Sequence, residues 1–138
     1  MASTAASDPF LGTWKLDHGK SKYSTGAPPR EMTIRIEQQG ESLIIEAEGV
    51  DENGARLSVK YSLPVKDGPG EVEHGYFDAV NSKYLSGDVR ETTYLKNGKQ
   101  LLSRHTTLAD DGKTMLSTLH GTNAHGQNVN GEEVYSRQ

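Results

Sequence analysis

The chain has 138 residues, 33% of them hydrophobic, a formal net charge of −4 and a pI near 5.7, with one tryptophan and no cysteine. That length allows one domain with a modest core, and an acidic balance without a Lys/Arg stripe argues against nucleic acid or an anionic membrane surface as partner. Without cysteine there are neither disulfides nor thiolate chemistry, and no apolar run approaches the ~20 residues of a membrane span, so no membrane insertion is expected.

Residues 1–7, Met-Ala-Ser-Thr-Ala-Ala-Ser, are small and polar and are expected to form a flexible leader, with 8–138 as the folded domain. They hold no apolar segment that would direct export. If they are the remnant of a removed signal the protein is periplasmic or secreted; otherwise it is cytoplasmic.

From residue 8 onward, strands are expected near 10–17, 31–38, 42–49, 55–64, 77–85, 88–96, 99–109, 113–122 and 128–136, with a short one at 71–75. Their punctuation is regular. Glycines recur at intervals of fourteen at 40, 54 and 68 and again at 98, 112 and 126, in dipeptides such as Asn53-Gly54, Asp67-Gly68, Asn97-Gly98 and Asp111-Gly112. Tight hairpin turns need φ > 0, which glycine supplies cheaply, and each interval fits one strand of about ten residues plus its turn. Gly87 adds a turn between the two series. Short links make antiparallel neighbours, and a long meander exposes two edges unless it closes. The expected fold is therefore all-β, a single up-and-down antiparallel β-barrel of about 8–10 strands.

Alternation assigns faces to several strands. Met32, Ile34 and Ile36 oppose Thr33, Arg35 and Glu37, and Leu57, Val59, Tyr61 and Leu63 oppose Arg56, Ser58, Lys60 and Ser62. Met115, Ser117 and Leu119 look inward, while Glu46 and Glu48, alternating with Ile45 and Ala47, read as solvated. In 88–96 and 99–109 both faces are mixed, and a slip of one residue exchanges them. Segment 18–30 holds Gly19, Gly26 and Pro28-Pro29 and is expected to cross one barrel mouth as a lid with at most one helical turn, carrying Lys20, Lys22 and Tyr23.

The run Phe10-Leu11-Gly12-Thr13-Trp14-Lys15-Leu16 resembles the Gly-x-Trp first strand of lipocalins and fatty-acid-binding proteins, the calycin superfamily. Over 8–138 the chain resembles a group of small, largely uncharacterised bacterial lipocalin-like proteins through Asp8-Pro9-Phe10, Lys20-Ser21-Lys22-Tyr23, Asp111-Gly112-Lys113-Thr114-Met115 and Gly121-Thr122-Asn123-Ala124. The resemblance implies a barrel with Trp14 plugging its floor. It implies no activity. Residues 18–30 are too short for the two helices of fatty-acid-binding proteins, and Tyr135-Ser136-Arg137 reverses their carboxylate-holding Arg-x-Tyr order.

A closed barrel of this size has room for side chains and one small ligand. The expected function is binding or sequestration of a small, mainly apolar molecule, with Trp14, Tyr23, Ile34, Val59, Tyr61, Tyr84, Met115, Leu119, Tyr135 and Arg137 as ligand-binding candidates. An inward Arg90 or Arg137 would need a carboxylate of the protein or an anionic ligand headgroup; the commoner fate of arginine is solvation outside. The alternative is a cavity enzyme, an isomerase, cyclase or hydrolase, in which His105 with Tyr94 and Arg90 polarises a carbonyl or removes a proton. No cofactor or metal is expected, because His105, His120 and His125 match no ligand spacing and no nucleophile elbow, phosphate loop or dinucleotide motif occurs. The expected partner is a small hydrophobic molecule, and the chain itself a monomer or weak homodimer.

Overall fold

The computed structural model describes residues 8–138, and the expected leader at 1–7 lies outside the described residues. The strands are β1 (Gly12–Leu16), β2 (Lys22–Thr25), β3 (Glu31–Gln39), β4 (Ser42–Val50), β5 (Arg56–Pro64), β6 (Gly68–Pro69), β7 (Glu71–His74), β8 (Ala79–Ser86), β9 (Val89–Lys96), β10 (Lys99–Leu108), β11 (Thr114–Thr122) and β12 (Asn128–Arg137). They form one antiparallel sheet in the order β6-β8-β9-β10-β11-β12-β1-β3-β4-β5-β7, with β2 also on β12. The glycine turns are where the spacing puts them. Gly40, Gly54, Gly98, Gly112 and Gly126 all take positive φ.

Closure comes from a ribbon that changes partners. Its first half, β6, pairs with β8 through Gly68↔Ser82, and its second half, β7, pairs with β5 through Tyr61↔Val72. Gly70 joins the halves and donates its N–H to the Val80 carbonyl at 2.8 Å. A Cβ at Gly70 would collide with the Ser62 carbonyl oxygen, so only glycine lets the ribbon lie this close to β5. The result is a nearly closed antiparallel barrel. Counted with β1–β2 and β6–β7 as interrupted single strands, it has ten courses.

Segment 18–30 corrects one expectation. His18–Lys20 is a single 3-10 turn, but Lys22–Thr25 is a strand that continues β1 along β12, with Leu16↔Tyr135 followed by Gly131↔Tyr23 and Asn130↔Thr25. The Asp17 side chain accepts from Lys20 N, and the Ser21 hydroxyl donates to the Asp17 carbonyl at 2.8 Å, so the chain bulges out and then resumes its course. Only 26–30 remains as a crossing loop. Lys20 and Lys22 are exposed.

The alternating faces assigned to β3, β5 and β11 are the buried ones. The mixed strands also have a definite phase: Arg90, Thr92 and Tyr94 of β9, and Leu102, Thr106 and Leu108 of β10, point inward. A register shift between Gln100 and Leu102 sets the phase of β10.

At the closed end Trp14 is fully buried and donates Nε1–H to the Phe10 carbonyl at 3.0 Å. The Arg137 guanidinium lies 4.2 Å over the indole and donates to the carbonyls of Pro9, Leu11 and Gly112. Gly12, at φ 128°, permits this, since a Cβ there would stand 2.8 Å from Arg137 Nη1. No helix among the described residues is long and apolar enough to cross a membrane.

Candidate functional site

The barrel encloses a cavity of about 150 Å³ whose wall is mainly apolar. Met32, Ile34, Ile45, Val59, Met115 and Leu119 supply aliphatic and thioether surface, and Phe10 lies at the floor. One side is aromatic. Tyr61 packs edge to face on Phe77 and on Tyr94 with centroids 5.5 Å apart, Phe77 and Tyr94 meet tilted at 4.7 Å, and Tyr76 joins edge to face at 5.1 Å from Phe77. Such geometry sets the positive ring edge of one against the negative face of the next.

A charged constellation crosses this wall. Glu133, 2% exposed, accepts from Tyr135 at 2.6 Å and from Arg104 Nη1 at 3.2 Å through Oε1, and from the Tyr23 hydroxyl through Oε2. The pair neutralises two charges that would be costly if buried singly. Against the opposing effect of burial, the neighbouring Tyr94, Glu133 and Tyr135 hold the Arg104 guanidinium well above its usual range, so it stays charged. Burial first, then Glu133, pushes the Tyr23 and Tyr135 hydroxyls up as well, and they remain donors. Tyr23 reaches Glu133 because Gly131 sits beneath its ring, where a Cβ would collide with Cγ and Cδ1.

Further donors face the same space. Tyr61 and Tyr94 share one hydrogen bond, and burial raises the Tyr61 hydroxyl while pushing Tyr76 up to about 12. Beyond the Glu133 contact, Arg104 makes no side-chain hydrogen bond among the described residues, and Tyr76 makes none with its hydroxyl.

Arg90 occupies the closed end, 5% exposed. Its Nη2 meets Asp8 at 3.1 Å and its Nη1 meets Ser82 at 2.8 Å, with the Pro64 and Val65 carbonyls also accepting. It anchors the entering chain. The mouth is rimmed by 51–55 and 123–127, clasped by His125 Nε2 to Asp51 Oδ2 at 2.7 Å and by Asn123 Nδ2 to Glu52 at 3.0 Å. That hydrogen bond holds the His125 imidazolium above its ordinary pKa and the Asp51 carboxyl below its own.

Of the residues singled out in the sequence, Tyr23, Ile34, Val59, Tyr61, Arg90, Tyr94, Met115, Leu119 and Tyr135 line the cavity. Four do not. His105 is exposed on the outer face of β10, opposite Glu91 and Thr118, because the leucines at 102 and 108 claim the inward phase. Tyr84 is 41% exposed, near the β8–β9 turn, with Arg90 5.6 Å from its ring. Trp14 lies beneath the floor, and Arg137 is taken up by the indole and three carbonyls. The expected trio of His105, Tyr94 and Arg90 therefore does not converge. Arg90 is buried and paired with Asp8, against the commoner expectation of a solvated arginine.

Arg104 and Glu133 were not among the sequence candidates. Their signal was the shared phase of Leu102, Arg104, Thr106 and Leu108, and of Val129, Gly131, Glu133 and Tyr135.

No known family profile and no curated protein matches the sequence. Solved structures are similar in fold, among them the following two. Rv2717c from M. tuberculosis superposes with a TM-score of 0.57 at 17% identity, covering 94% of this chain and 93% of that one. Zebrafish ileal bile acid-binding protein, complexed with cholic acid, superposes with a TM-score of 0.50 at 14% identity, covering 94% and 99%. The fold is thus a nearly closed antiparallel barrel of the kind these two structures share.

Proposed function

We propose that the barrel binds a compact, mainly apolar molecule, oriented by one polar group set against Arg104 and the tyrosine hydroxyls. The observation that carries this reading is a donor-rich patch set in an otherwise apolar enclosed wall. Apolar burial would supply affinity at roughly 25 cal/mol per Å² before the costs of association, and the donors would fix orientation. The likeness to a barrel complexed with cholic acid supports small-molecule binding in general. At about 150 Å³ the cavity restricts this chain to something more compact, since an apolar cavity of ~150 Å³ accepts benzene.

The test is a screen of monocyclic terpenes and substituted benzenes, followed by the methyl shifts of Met32 and Met115. Both methionines face the cavity. Saturable shifts in both support the reading, and absence of saturable shifts across the panel overturns it. Trp14 is a poor reporter, because it sits under the floor.

A further inference from the structure

Two arginines line the cavity, and neither has charge to spare. Arg90 is matched by Asp8 at 3.1 Å and Arg104 by Glu133 at 3.2 Å. Each carboxylate is 7% exposed or less. Glu133 also accepts from two tyrosine hydroxyls. The interior is therefore formally neutral, yet it offers protons: one of the two in the Tyr61–Tyr94 pair, that of Tyr76, and the edge of the Arg104 guanidinium turned away from Glu133.

A ligand carboxylate placed there would bring a third buried acid to two bases and stay uncompensated, which low-polarity surroundings penalise heavily. A carbonyl oxygen accepts the same protons without a net charge. The mouth adds to the bias. Asp51 and Glu52 both line it, and His125 offsets only one of them. Arg30 near Gly54 is exposed and outside the lining.

We infer that the cavity selects neutral molecules carrying a carbonyl-type oxygen over isosteric carboxylates, and that Glu133 determines this by cancelling Arg104. The inference rests on the binding role proposed above and names its ligand class. Glu133 acts here through Arg104 and is a positioning residue for the ligand.

Acetophenone and benzoate have the same shape and differ in charge, so they serve as probes. Each is titrated into the full chain at pH 7.5 with the Met32 and Met115 methyl shifts as readout, and acetophenone is expected to bind at least ~10-fold more tightly. Between pH 7 and 5 benzoate affinity should rise about tenfold per unit as its neutral acid grows in, while acetophenone stays flat. In Glu133→Gln, benzoate should gain ~10-fold or more, and its affinity relative to acetophenone should rise by a similar factor.

Benzoate binding as tightly as acetophenone to the unsubstituted protein at pH 7.5 overturns the selectivity and leaves the binding role standing. No saturable shift with either compound overturns both. A folded Glu133→Gln that gains no benzoate affinity overturns the role given to Glu133. Should that variant fail to fold, the pH series decides, and a flat benzoate affinity counts against the inference.

Discussion

The hydroxyls of Tyr61 and Tyr94 meet 2.7 Å apart inside the barrel, from strands β5 and β9 that are not neighbours in the sheet. One hydroxyl donates to the other, so a single hydrogen bond ties two strands that share no backbone pairing, and one proton remains to be offered elsewhere. Removing either hydroxyl strands the other. Tyr61→Phe and Tyr94→Phe should each cost about 1–2 kcal/mol, and the double variant should cost less than their sum, because no unpaired group is left. Urea unfolding of the three variants measures this, and strict additivity would count against the link.

Arg104 and Glu133 obey the same logic with larger stakes. Glu133→Leu leaves a guanidinium without its acid and should destabilise by about 3–5 kcal/mol, whereas Glu133→Leu with Arg104→Met should recover most of the loss. Chemical denaturation checks the recovery. A double variant as unstable as the single would mean that the tyrosine bonds, rather than the ion pair, hold this wall together.

Gly131 makes the constellation possible by leaving room for the Tyr23 ring. Gly131→Ala should drive the ring off Glu133 and cost about 1–3 kcal/mol as overpacking. Tyr23→Ala in the same background should relieve the ring contacts, leaving only that with the Tyr23 Cα, so the second substitution should be milder than in the parent chain. Thermal melts of the pair test this coupling.

The clasp at the mouth makes stability depend on pH in a defined direction. The folded pKa of His125 is raised by Asp51, so its contribution is complete below the unfolded histidine value of about 6.5 and fades as pH rises through the higher folded value. The Asp51 pKa is lowered, so its contribution is present above the ordinary aspartate value near 3.9 and fades as pH falls through the folded one. His125→Gln should therefore flatten the melting temperature as pH rises above about 6.5, where the parent declines. An NMR titration showing an ordinary His125 pKa would remove the basis for this.

Most of the barrel was legible because turn chemistry is local. Asn53-Gly54 or Asp111-Gly112 announces a reversal without help from distant residues, and Met32-Thr33-Ile34-Arg35-Ile36 declares its own inner face. Lys22–Thr25 was not legible as a strand, because its pairing with Asn130–Glu132 is made more than a hundred residues away. The site was harder still. His105 looked poised for chemistry, but with both faces of 99–109 mixed the phase was open, and the buried Leu102, Thr106 and Leu108 turn Arg104 inward and His105 outward. Glu133 hides among exposed acids until Tyr23, Arg104 and Tyr135 converge on it.

The ribbon that switches from β8 to β5 at Gly70 does more than seal a hollow. Were it to lift away, the long margins of β5 and β8 would lie bare at once, each a template on which a second molecule could lay its own backbone. Bulk introduced at Gly70, which would collide with the Ser62 carbonyl, should therefore show itself first as turbidity.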